Sequence, residues 1–277
     1  MKLRELAQAI ADDLPDSVEE VMLAGSVSRG VDDEHSDIEM LVVTPEPLDL
    51  DECYALAEAC RLTNRGTWGL QGGPTQKVSG YRDGVPIELI FWSRAHTEKA
   101  IDAIFAGELT GSADAFANGV ALRTSGSFAR WHERFRTVPD ELAERWIEDA
   151  ALTWGGFAAA GLLTIVRPGE RLALVERMTD DASRTVRIVF LINRVWPPTS
   201  KRLAARAAGL PTKPDRLAER IEEALTEPDS VRALLAMTEL QADTAALAPD
   251  GPNVVRARTW LAQGIELLRP LVTGLDV

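Results

Sequence analysis

AGSVSRGVDDEHSDIEMLVV, residues 24–43, sets a glycine-serine turn ahead of an apolar run opened by two carboxylates, Asp37 and Glu39. In a strand, residues i and i+2 point to the same face. Asp37 and Glu39 therefore aim together, while Ile38 and Met40 face the core. Two like charges that close raise each other's pKa and destabilise the fold unless something pairs them. A divalent cation would do so, and the rest of the chain is read with that in mind.

Gly25-Ser26 closes the preceding apolar segment, VEEVMLAGS. Its backbone N–H groups and hydroxyl can receive a phosphate, and Arg29 can add a planar donor fork. Taken alone the glycine-serine pair is an ordinary strand-end turn. Followed by Asp37-x-Glu39, it becomes one wall of a site for a metal-bound triphosphate. A third acid, Glu88, stands in VPIELIFW between Ile87 and Leu89, where acids are uncommon. If that segment lies beside the Asp37/Glu39 strand, three acids converge, enough for two magnesium ions.

Outward from this stretch, residues 48–64 read as a helix. Residues 75–93 read as two strands around Asp83-Gly84, with a hairpin loop longer than two residues. AHTEKAIDAIFAGE returns to helix, and the N-terminus, MKLRELAQAIADDL, is an amphipathic helix rather than a leader peptide. Beyond about residue 125 the pattern turns helical. A helix is expected over residues 137–166 with Thr137 as cap and Pro139 in its first turn. Further amphipathic helices follow, broken by proline and glycine. The reading is an α+β chain: a mixed sheet with helices over 1–125, then a helical bundle over 126–277.

The chain has 277 residues, 45% of them hydrophobic, with 43 acids against 30 bases and a formal charge of −13. This balance disfavours a nucleic-acid partner, which needs a basic face, and leans toward a cationic small molecule. No apolar run is long enough to cross a membrane. Cys53 and Cys60 lie seven apart on one helical face, too far apart along the axis for a disulfide. They read as reduced core thiols of a cytoplasmic protein, and two cysteines with three histidines make no zinc pattern.

The order Gly25-Ser26, Arg29, Ser36-Asp37-Ile38-Glu39-Met40, and then an isolated acid on a later strand resembles the nucleotidyltransferase superfamily that includes DNA polymerase β. Within it the kanamycin (aminoglycoside 4′-) nucleotidyltransferase type is the nearest likeness. The resemblance covers about the first hundred residues and implies transfer of a nucleoside monophosphate from an NTP to an acceptor hydroxyl. It implies that Asp37, Glu39 and Glu88 bind magnesium, and that Gly25, Ser26 and Arg29 hold the β- and γ-phosphates. It further implies a glutamate base at the start of the second domain, for which Glu148 and Asp149 are the nearest candidates. In the kanamycin type two subunits pair and complete each other's sites, so a homodimer is expected, its contact drawn from apolar faces such as Leu234, Leu235 and Met237.

Other residues have plainer readings. His35 is a turn residue, Lys77 a surface lysine, and Trp131, Trp146, Trp154 and Trp196 are core residues. Asn193-Arg194 either caps a helix or reaches a phosphate. The acids Asp32, Asp33, Glu34, Asp140, Glu141, Glu144, Glu148 and Asp149 would draw a polycationic, aminoglycoside-like acceptor. The competing functions are nucleotide transfer to tRNA or protein, as in toxin-like members, and a non-catalytic nucleotide-binding module.

Overall fold

The computed structural model describes residues 2–67, 74–108, 111–154, 166–199 and 201–273, divided into two compact units, Met1–Arg136 and Thr137–Val277. In the first unit, α1 (Leu3–Asp13) leads to β1 (Glu20–Leu23), the short α2 (Gly25–Arg29) and β2 (Ile38–Thr44). Then come α3 (Leu50–Ala59), β3 (Thr63–Thr67), β4 (Thr75–Arg82) and β5 (Val85–Ser93). The unit ends with α4 (Arg94–Ala106), α5 (Ser112–Asn118), β6 (Val120–Arg123) and α6 (Ser127–Arg134).

The six strands form one sheet in the order β3-β4-β5-β2-β1-β6. The central pair, β2 and β5, is parallel, and all other neighbours are antiparallel. One face is closed by α1 and α3. Leu6, Ile10, Cys53, Ala57 and Cys60 pack there on Ile38, Met40, Ile87 and Leu89, all at most 1% exposed. That burial explains the apolar alternation of β2 and β5 around their acids. Both cysteines are unpaired and buried, as the core-thiol reading expects, and burial, aided by nearby acids, pushes each thiol up to about 12.

The expected helix over 48–64 is trimmed at both ends, to Leu50–Ala59. Asp49 caps α3 by accepting the Glu52 N–H at 2.8 Å, while Glu52 accepts the Asp49 N–H. Residues 63–67 leave the helix to become the outer strand β3. The β4–β5 loop is also shorter than expected. Arg82 pairs with Val85, so Asp83 and Gly84 alone make the turn, at φ 54° and 80°. Two successive positive φ values give the primed two-residue turn whose twist matches its strands.

The second unit is helical: α7 (Asp140–Ala151), α8 (Arg171–Ile192), α9 (Leu203–Ala208), α10 (Leu217–Thr226), α11 (Ser230–Leu247) and α12 (Pro252–Thr273). Its core joins Leu174, Met178, Phe190, Leu234, Met237 and Leu268. Pro139, not Thr137, stands at the N-cap of α7, since its fixed φ suits entry to a helix. The expected run of that helix through 155–165 lies outside the described residues. Trp131, Trp146, Trp154 and Trp196 are all buried, as the core reading requires. Among the described residues no helix is long and apolar enough to cross a membrane.

Candidate active site

Strand register brings the sequence-predicted acids together. On adjacent parallel strands Glu39 and Glu88 are direct partners, as are Ile38 and Ile87 on the buried face. The two carboxylates thus share the opposite face, half-buried. Asp37, just before β2, and Glu88 line a common cleft of about 400 Å³ whose other walls include Asn64, Ser79 and Tyr81.

Gly25 completes this arrangement. Its φ of +71° is in the left-handed region, and a Cβ there would overlap the Glu39 carboxylate. The glycine is needed for both its conformation and its empty side, because the acid lies where a side chain would go. The Ala24 N–H donates to the Glu39 carbonyl at 2.8 Å, tying the turn to β2. Ser26 follows in α2, and Gly30 ends that helix in the αL conformation, donating to the carbonyls of Ser26 and Val27.

Two positively charged groups sit differently from the sequence reading. Arg29 pairs with Asp114 of α5 at 3.2 Å, and Asp114 also accepts from the Asn118 side chain at 2.8 Å. A buried carboxylate thereby holds the guanidinium expected for phosphate. Lys77, expected on the surface, forms an ion pair with Glu88. The clue was the hairpin: with a two-residue turn, counting back from Arg82–Val85 puts Ser79 opposite Glu88 and Lys77 on the diagonal.

The donors are all carboxylate oxygens, the hard set that suits magnesium rather than zinc. With Glu88 bound to Lys77, no group of three acids, histidines or cysteines among the described residues is arranged to hold a metal ion.

The two candidate bases fare unequally. Glu148, on α7, turns its carboxylate onto the start of α12, accepting the N–H groups of Asn253 at 2.8 Å and Val254 at 3.2 Å. Gly251 leaves room for it, since a Cβ there would overlap the same carboxylate. Neighbouring Asp149 is exposed. Asn193 and Arg194 take the structural reading: Asn193 bonds the backbone of Val189 and Thr212, and Arg194 pairs with Asp140 and Glu144. His35 is exposed beside Glu34.

Residues 3–108, which contain β1 to β5, α2 and all three acids, match the nucleotidyltransferase domain family. A crystal structure of a nucleotidyltransferase-like protein from Exiguobacterium sibiricum 255-15 aligns over 97% of this chain and 90% of that one, at 10% identity and a TM-score of 0.40. That likeness is too loose to carry an argument. No curated protein matches the sequence. The glycine-serine turn and the paired acids thus lie within residues 3–108, the part of the chain that matches the nucleotidyltransferase domain family.

Proposed function

We propose that the protein transfers a nucleoside monophosphate from an NTP to a hydroxyl of a small, cationic, aminoglycoside-like acceptor, with magnesium. The observation that carries this is the register pairing of Glu39 with Glu88, with Asp37 on the same cleft. Bound there, magnesium would neutralise the polyphosphate and stabilise the charge on departing pyrophosphate. Asp37, Glu39 and Glu88 would hold the ions, and Gly25 and Ser26 would offer N–H groups and a hydroxyl to the phosphates. In the step itself the acceptor oxygen bonds to the α-phosphorus and the bond to the β-phosphate oxygen breaks. The hydroxyl proton passes to a carboxylate. Of the two acids considered for that proton, Glu148 already caps α12, so Asp149 is assigned the role.

The acceptor assignment rests on charge. The chain carries −13, and an RNA acceptor would meet repulsion where an amino sugar would be drawn in. Two of the acids first counted toward this field, Asp140 and Glu144, share one counter-charge, Arg194. The test offers aminoglycosides, neutral hydroxylated compounds, total tRNA and protein substrates to the full chain with each α-labelled NTP and magnesium. Label on a cationic small molecule supports the proposal. Label on tRNA or protein alone overturns the acceptor and keeps the chemistry.

A further inference from the structure

Lys77 stands on β4, where strand register places it two pairs along from Glu88, on the diagonal, and on the same side of the sheet as Glu39. Its ammonium is bound to the Glu88 carboxylate, with the lysine side chain 32% exposed and the glutamate 20%. Glu39 and Glu88 face each other on adjacent strands as two half-buried carboxylates, and Lys77 offsets the charge on Glu88. Lysine suits a replaceable partner: it carries a compact point charge on a flexible stem with no fixed fork to unlock.

We infer that Lys77 is a positioning residue, a built-in counter-ion that holds Glu88 in the metal-free chain and opposes a divalent cation that binds there. This rests on the metal reading above. An ammonium beside the Glu88 carboxylate repels a divalent cation arriving at the same group, so metal binding works against the Lys77–Glu88 pair. The cost falls on metal affinity, while the metal-free fold is spared carboxylate repulsion.

The test is Mn²⁺ binding by the full chain, followed by electron paramagnetic resonance without nucleotide. Lys77→Met keeps the stem and removes the charge. A pair this exposed is worth on the order of 1 kcal/mol, so Lys77→Met, and likewise Lys77→Gln, should bind Mn²⁺ about fivefold more tightly. Lys99→Met removes an exposed charge from α4 and should change affinity less than about twofold. In a Glu88→Gln background the Lys77→Met effect should vanish. Unchanged or weaker binding in both Lys77 variants overturns the inference, as does equal tightening from Lys99→Met or a Lys77 effect that survives without Glu88. Mn²⁺ binding to wild type and variants alike, with equal affinity, would spare the metal reading. Binding to none of them would remove both.

Discussion

Gly25 is the residue with least latitude. Its positive φ costs any other L-residue about 1–2 kcal/mol, and the Glu39 carboxylate fills the space beside it. Gly25→Ala should lower stability by roughly that amount and also displace the acid. A variant melting within a degree of wild type would show that the turn relaxes freely. Glu20 shows a second single-residue dependence that went unread in the sequence. Burial pushes its carboxyl up, but hydrogen bonds from the Ser125 and Thr124 hydroxyls and from the Ser125 and Ser127 N–H groups outweigh this and hold it below the ordinary 4.5. A depressed carboxylate stabilises the fold above that ordinary value, and the contribution is lost as pH falls through the folded value. Glu20→Gln should therefore destabilise at pH 7 by roughly 2 kcal/mol, and the gap to wild type should narrow on acidification toward pH 3. A gap that widens in acid would contradict this.

Among elements, the central pair was legible and the edges were not. β2 and β5 announce themselves because each is apolar on a buried face and carries an isolated acid on the other. β3, TNRGT, has no apolar alternation and is half exposed, so it reads as the tail of a helix. β6 has four residues, too few for a period to show. The misread hairpin loop had the larger consequence: it hid the register that sets Lys77 against Glu88. In the helical unit, Glu148 looked like a base because an acid at that place fits the resemblance, whereas its contacts are those of a cap for α12. Glu148→Ala should destabilise this unit by about 1–2 kcal/mol in urea unfolding. Under the Asp149 assignment, Asp149→Asn should slow transfer about 10²-fold with little loss of stability. A stable Glu148→Ala protein with no activity would reverse the two roles.

At the scale of the whole molecule, net charge is a weaker guide than it looks. Many of the acids have local arginine partners, including Asp13, Asp114, Asp140 and Asp181. The apolar residues first assigned to a dimer contact behave likewise, since Leu234 and Met237 lie inside the helical core. A symmetric homodimer stays a proposal, and a monomer mass in light scattering would remove it. The measurement that bears most directly on the central claim is transfer of α-labelled nucleotide by wild type, Asp37→Asn, Glu39→Gln and Glu88→Gln, each shown folded by circular dichroism. The account predicts transfer by wild type and a loss of at least about 10²-fold in every variant, because each removes charge that must hold the metal. Wild-type rates in any two of the three would contradict it.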